Sequence, residues 1–313
     1  MLGPSWTPDA PYEAGTSTIL FSIGKYQFHA YSLTMMLGML AAILTITIFW
    51  AREKYKFEIL LIAVIIVIPS SIIGARMWHL VEEKIYNPNF DFKRWYAIWE
   101  GGLSIQGGVV MAFIMGMIYG YTVRDKLDIR KVLSFIVPSV LIGQVIGRWG
   151  NFANHEVYGL IDYDGSSSLI FGHSFASNMY IHDSVGTGYR YPLFLYEGLA
   201  NLVGYLVLVW IINWFGLLKP GSTSALYFVW YGCVRLALEP LRQETHRMYS
   251  IASGVFIAAG AIFFLFFEYL NPVHYIRVWR NGHFKYAYAH EQKYIDWLNS
   301  SKWGKKQITE VVQ

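Results

Sequence analysis

Apolar residues run through this chain in long blocks broken by shorter polar connections. Seven stretches stand out: 31–50, 59–80, 105–121, 132–150, 193–215, 224–239 and 251–270. A helix needs about 20 mostly apolar residues to cross a bilayer, so the pattern predicts an all-α, polytopic membrane protein with seven transmembrane helices. The third and sixth stretches are short and carry polar residues, whereas 251–270 reads as the plainest lipid-facing helix. Pro69 and Pro138 fall inside spans, where packed neighbours can satisfy the carbonyls they free. The pairs Gly101-Gly102 and Gly107-Gly108 flank Ser104 and Gln106. Glycines so placed allow close helix approach or a re-entrant turn.

The connections give an orientation. Cytoplasmic loops are enriched in Lys and Arg. The side holding Arg52, Lys54, Lys56, Arg124, Lys126, Arg130, Lys131, Lys219 and the tail carries about twice the Lys and Arg of the other side. The N-terminus is therefore expected outside and the C-terminus in the cytoplasm. Residues 155–191 form the longest outward loop, rich in Gly, Ser, Asp and aromatics, and are expected to fold as a small extracytoplasmic head between the fourth and fifth spans. The organisation read from this is a seven-helix membrane domain over 1–270, with 155–191 inserted, and a cytoplasmic C-terminal tail over 271–313. The tail mixes Tyr, Trp, Lys and Arg. It reads either as a segment lying on the anionic inner leaflet, where each Lys or Arg is worth about 1 kcal/mol, or as a partly disordered end.

Composition agrees with the segment pattern. Charged residues make up 15% of the chain, against about 25% in an average soluble domain. Aromatics reach 18%, with Trp and Tyr near segment ends, as interfacial belts require. The net charge of +4 is small and comes largely from the tail, which argues against nucleic acid as a partner. Cys233 is the single cysteine, so no internal disulfide forms. Residues 1–28 lack a basic segment followed by an apolar core and do not read as a cleaved signal peptide.

Polar residues at membrane depth carry the candidate chemistry, since an ionisable group there costs a few kcal/mol and is functional by default. The first cluster is Arg148, Asn151, Asn154 and Glu156, at the end of the fourth span. If the helix continues, 148 and 151 share a face, with 155 one turn later. Arginine's planar fork suits a lipid phosphate, asparagine can hold a glycerol hydroxyl or ester oxygen, and Glu156 can orient the arginine or accept a proton. The competing reading is an Arg–Glu pair that locks helix packing. The second cluster, Tyr231, Arg235, Glu239 and Arg242, has spacings of four, four and three and is expected on one helix face. It reads as a second phosphate clamp with Glu239 holding Arg235, or as an interhelical salt bridge. Pro240 is expected to end the helix, which would leave Arg242 at the interface. A third group is scattered: His29, Tyr31, Arg76, Gln106 and Glu197. Of these, Glu197 is a carboxylate inside an apolar run and needs a partner.

Other chemistries find little support. There is no P-loop, GxSxG elbow, HExxH or cysteine pair. Cys233 reads as a packing residue, because apolar burial raises a thiol's pKa. His173 and His182 have no partners at metal-ligand spacing, so no metal and no cofactor is expected. A transporter is weakened by the absence of a recognisable inverted repeat. A metal-dependent phosphatidyl transferase is weakened by the absence of paired aspartates in a span.

The run Gly147-Arg148-Trp149-Gly150-Asn151-Phe152-Ala153-Asn154-His155-Glu156-Val157-Tyr158-Gly159 resembles the signature of the prolipoprotein diacylglyceryl transferase family. Further blocks follow in that family's order: 29–31, 74–76, 101–108, 191–197 and 231–242. The resemblance implies a bacterial inner-membrane transferase with seven spans. Such an enzyme moves the diacylglyceryl group from phosphatidylglycerol to the lipobox cysteine thiol of a prolipoprotein signal peptide, forming a thioether and releasing glycerol 1-phosphate. By matching position, it implies catalytic roles for Arg148, Arg235 and Tyr31; His29 or Glu156 is the candidate base, unless no dedicated base is needed. It also implies lipid binding by Arg148, Asn151, Asn154, Gly159, Gln106, Tyr231, Glu239 and Glu197. One departure matters. Many members carry histidine where this chain has Gln106, and glutamine cannot take a proton. The signature also has His155 where a small residue is common.

Overall fold

The computed structural model describes residues 4–24, 26–87, 95–96, 102–124, 126–243, 247–271, 275–280 and 282–288. In chain order the elements are β1 (Tyr12–Glu13), β2 (Ile19–Ile23), β3 (Tyr26–His29), α1 (Ala30–Arg52), α2 (Phe57–Tyr86), α3 (Ile105–Thr122), α4 (Ile129–Ala153), β4 (Ile161–Asp162), α5 (Ser166–Leu169), α6 (His173–Asn178), β5 (Tyr180–Asp183), β6 (Gly186–Arg190), α7 (Leu193–Tyr205), α8 (Ser222–Leu238), α9 (Arg247–Leu265), β7 (Tyr275–Arg280) and β8 (His283–Tyr288). α7 and α9 each continue as π-helical turns, to Asn213 and Leu270.

Among the described residues, six helices are long and apolar enough to cross a membrane: α1, α2, α3, α4, α7 with its continuation, and α9 with its continuation. The chain is therefore mostly helical and multi-pass. The sixth expected span corresponds to α8, which has 17 residues. Pro69 and Pro138 lie inside α2 and α4. The all-α expectation needs correction, because strands accompany the helices. β1, β5, β6 and β4 form a four-stranded sheet in that order, and β2–β3 and β7–β8 are two-stranded ribbons. These segments lie outside the apolar blocks. There, water or side chains can satisfy sheet edges that a bilayer would leave unpaired.

The chain divides into two compact units, one drawing on Met1–Ile46 and Leu133–Ala289, the other on Thr47–Val132. In the second unit α2 and α3 pack at close range: a Cβ added at Gly74 would sit 2.7 Å from the Gly107 carbonyl oxygen. The close helix approach expected of the glycine block is thus present at Gly107, while Gly101 lies outside the described residues. Arg76 Nε donates to the Trp95 carbonyl at 2.9 Å, and its Nη1 donates to the Gly102 carbonyl at 3.1 Å. The Ser104 amide donates to the Ala75 carbonyl at 3.0 Å. The segment entering α3 is therefore tied to α2.

In the first unit the lower ends of α4, α7 and α8 are joined by hydrogen bonds. Asn213 Nδ2 donates to the Ser134 carbonyl at 2.5 Å, Thr223 Oγ1 donates to Asn213 Oδ1 at 2.8 Å, and the Gly221 amide donates to Ser134 Oγ at 2.6 Å. At the other end, the residues between α4 and α7 supply α5, α6 and three strands of the four-stranded sheet, and β1 from the N-terminal segment pairs with β5 as the fourth. Arg190, fully buried, anchors this lobe. Its Nη2 donates to Asp183 Oδ1 at 2.7 Å, and its Nη1 donates to Gln243 Oε1, beyond α8, at 3.1 Å. Part of the tail is also ordered. β7–β8 is an antiparallel hairpin, and Arg277 Nη2 donates to the Phe215 carbonyl at 2.6 Å. Beyond Tyr288 the tail lies outside the described residues.

Candidate active site

α4 ends at Ala153, so Arg148 and Asn151 lie within the helix and His155 lies beyond its end. His155 and Val157 take positive φ, 49° and 57°. That conformation is uncommon for non-glycine residues and strained for a β-branched one. The turn folds Glu156 back over the helix end: its amide donates to the Asn151 carbonyl at 3.0 Å, and Asn151 Nδ2 donates to its Oε1 at 2.8 Å. His155 faces away from this group. Its ring stacks on Tyr12 at 4.1 Å, and its Nδ1 donates to the Asn178 carbonyl at 3.2 Å. Burial lowers its pKa below the ordinary histidine value, more than the Asn178 contact raises it.

Three arginines and two glutamates then form one connected chain. Arg148 donates to Asn151 Oδ1 through Nη1 at 3.2 Å and to Glu197 Oε1 through Nη2. Glu197 Oε2 accepts from Arg242 Nη2 at 3.0 Å. Glu239 Oε2 lies 3.8 Å from Arg242 Nε and 3.4 Å from Arg235 Nη2. Arg235 also lies over the Tyr249 ring at 4.9 Å. The side chains of Glu197 and Glu239 are 2% and 8% exposed, whereas those of Arg148 and Arg235 keep 22% and 15%. The carboxylates thus lie behind the guanidiniums, which present the accessible edge. An anion arriving there meets charge-assisted donors already held in place.

The local sequence explains the convergence. Glu197 lies on the buried face of α7 with Leu193, Phe194, Gly198 and Asn201, an i, i+4 stripe. α8 stops at Leu238 before Pro240, as expected, and Glu239–Leu241 make a 3₁₀ turn. Arg242 is extended, with φ −78° and ψ 144°. It does not share the helix face expected for the second cluster, because the chain leaves the helix three residues before it. Instead it bridges Gly159, while the Leu160 amide donates to the Leu241 carbonyl at 2.9 Å and the Gly159 amide to the Tyr191 carbonyl at 2.9 Å. A Cβ at Gly159 would sit 2.7 Å from the Leu241 carbonyl oxygen, so the residue there must be small. This contact draws the ends of α4, α7 and α8 together.

The other expected residues fall as follows. Tyr31 lies within electrostatic reach of Glu156 and Arg148. A Cβ at Gly150 would sit 3.2 Å from the Tyr31 Cα, so α1 meets α4 there. Asn154 has its side-chain oxygen buried without a hydrogen-bond partner. Tyr231, one turn before Arg235, stacks on Tyr227 at 6.2 Å. His29 Nδ1 lies 2.7 Å from Ser17 Oγ in the N-terminal ribbon. Gln106 belongs to the other unit, where its Oε1 accepts from Ser104 Oγ at 2.8 Å. Sequence reasoning left Arg242 at the margin, although its spacing of three from Glu239 was the available signal. Among the described residues, no group of three or more His, Cys, Asp or Glu is arranged to hold a metal.

Residues 18–282 match the family described as prolipoprotein diacylglyceryl transferase. The chain belongs to that family. A phosphatidylglycerol–prolipoprotein diacylglyceryl transferase of Mycoplasmopsis pulmonis is 49% identical over 293 residues, covering 91% of this chain and 90% of the relative. The proteins of that name from Streptococcus suis and Streptococcus uberis are 34% and 32% identical, each over 78% of this chain and over 90% and 93% of their own lengths. The arginine–glutamate chain of this diacylglyceryl transferase family member lies wholly inside the matched region.

Proposed function

We propose that this protein transfers the diacylglyceryl group of phosphatidylglycerol to the lipobox cysteine thiol of a prolipoprotein signal peptide, in a bacterial cytoplasmic membrane. The observation that carries the reading is the arginine–glutamate chain, whose accessible edge is cationic and lies within apolar helices of this family. Arg148 and Arg235 bind the phosphodiester. Glu197, Glu239 and Arg242 hold them in position, and Asn151 orients Arg148. Tyr231 and Asn154 complete the lipid contacts.

The thiol must become a thiolate to attack, since free cysteine titrates near 8.5. Glu156 takes the proton, with Tyr31 beside it. This assignment is supported by the Asn151 link that ties the Glu156 carboxylate to Arg148. The sulfur attacks the glycerol carbon that carries the phosphate. A C–S bond forms as the C–O bond breaks, and the electron pair leaves on glycerol 1-phosphate. The guanidiniums stabilise the charge that develops on the departing phosphate, where little water competes. In this reading α8 is the seventh crossing, the N-terminus and the lobe between α4 and α7 are outside, and the C-terminus is cytoplasmic.

The test is release of glycerol 1-phosphate by purified protein in phosphatidylglycerol vesicles with a lipobox peptide. Release that requires the peptide cysteine, and disappears with a serine peptide, is expected. Release indifferent to the cysteine would point to a phospholipid hydrolase. Lipid or anion flux without release would point to a transporter.

A further inference from the structure

One helical turn below the arginine–glutamate chain lies a second polar layer. Gln144 precedes Arg148 by four residues on α4, Asn201 follows Glu197 by four on α7, and Tyr231 precedes Arg235 by four on α8. α4 and α8 end where α7 begins, at the Gly159–Leu241–Tyr191 junction, so all three positions lie on the same side of the charged layer. A turn is about 5.4 Å. Gln144 Nε2 donates to Tyr227 Oη at 3.3 Å. Asn201 is fully buried at the centre of the inward face of α7. Neither its Nδ2 nor its Oδ1 has a hydrogen-bond partner, and the Gln144 Oε1 is also buried without one. Buried amides are ordinarily paired, and a leucine of nearly the same size would meet no such penalty in an apolar helix. A buried donor left open one turn beneath a phosphate clamp calls for a ligand atom at that depth.

We infer that Asn201 Nδ2 donates to an ester carbonyl of the lipid substrate and thereby positions the diacylglycerol below the phosphate. This rests on the phosphatidylglycerol reading above. In a glycerophospholipid the ester carbonyls are a few bonds from the phosphorus, a distance comparable with one helical turn. The carbonyl is an acceptor only, and the Asn201 amide nitrogen is a donor only. The ester bonds are neither made nor broken in the transfer. The contact is therefore equally strong in ground state and transition state, and it acts on KM and leaves kcat alone.

The experiment compares diacyl phosphatidylglycerol with its dialkyl ether analogue, each diluted into the same host lipid, with wild type and Asn201→Leu. For wild type the ether lipid should raise KM about three- to tenfold at unchanged kcat, the worth of one neutral hydrogen bond. Asn201→Leu should raise KM for the diacyl lipid by a similar factor and erase the ester–ether difference, without lowering the melting temperature. An Asn201→Leu enzyme that still prefers the ester lipid would overturn the proposal. So would a wild type that does not distinguish the two lipids, the result expected if a trapped water occupies the layer. That second comparison needs no variant and stands even if Asn201→Leu fails to fold. Absence of transfer from diacyl phosphatidylglycerol by wild type would instead defeat the reading on which the proposal rests.

Discussion

Glu197 holds two guanidiniums with one carboxylate that is 2% exposed. Removing one partner of a buried ionic group leaves the rest unpaired, which costs more than the intact pair contributes. Glu197→Gln keeps the shape and one acceptor oxygen but removes the negative charge that lies between Arg148 and Arg242. The expected result is a loss of about 3 kcal/mol in stability, read by thermal unfolding in detergent, with transfer falling alongside it. An unchanged melting temperature would mean that the two arginines do not depend on this residue. The sequence made Glu197 conspicuous, since a carboxylate in an apolar run requires a partner. It did not identify Arg242 as one of the partners, because they lie 45 residues apart and meet only through the Gly159–Leu241 bridge. Gln144 and Asn201 stand out only in the fold, where Gln144 Oε1 and both amide atoms of Asn201 are buried without partners.

Among the elements, helix positions were legible and the turn that follows α4 was not. The apolar blocks predicted α1, α3, α4, α7 with its continuation, α8 and α9 to within a few residues, because burying apolar side chains in a bilayer fixes length, while α2 continues past its block to Tyr86. The turn after α4 depends on backbone conformation. The left-handed residues His155 and Val157 curl Glu156 back to Asn151, and no local composition rule anticipates two such residues without glycine. The same holds for the strands, which depend on long-range pairing such as β1 with β5. His155 gives this turn a pH dependence. Its folded pKa lies below the ordinary value of about 6.5, so the packed state favours the neutral ring. Docking of the N-terminal segment should be complete above about pH 6.5 and weaken as the pH falls below it. The Gly15 amide donates to the His155 carbonyl at 3.1 Å and serves as reporter. Its hydrogen exchange, corrected for intrinsic chemistry, should accelerate between pH 7 and 5.5 in wild type, and His155→Gln should remove that change. Equal behaviour of the two proteins would assign the turn's stability to other groups.

For the whole molecule, the Lys and Arg asymmetry and the seven-crossing reading make one topological claim. Cys233 is the single cysteine, so a Cys233→Ser background allows single cysteines to be placed at exposed positions such as Ile170 and Trp279. An impermeant maleimide added to intact cells should label position 170 and spare 279 until the membrane is opened. The reverse pattern would invert the orientation, and labelling of both would remove one crossing. The most direct test of the central claim is mass spectrometry of a lipobox peptide incubated with phosphatidylglycerol and wild type, Arg148→Ala or Arg235→Ala protein, each shown to be folded. A diacylglyceryl mass on the cysteine is expected with wild type, with a loss of at least about 100-fold in either variant, as when a preorganised transition-state donor is removed. Full modification by either arginine variant would contradict the phosphate clamp.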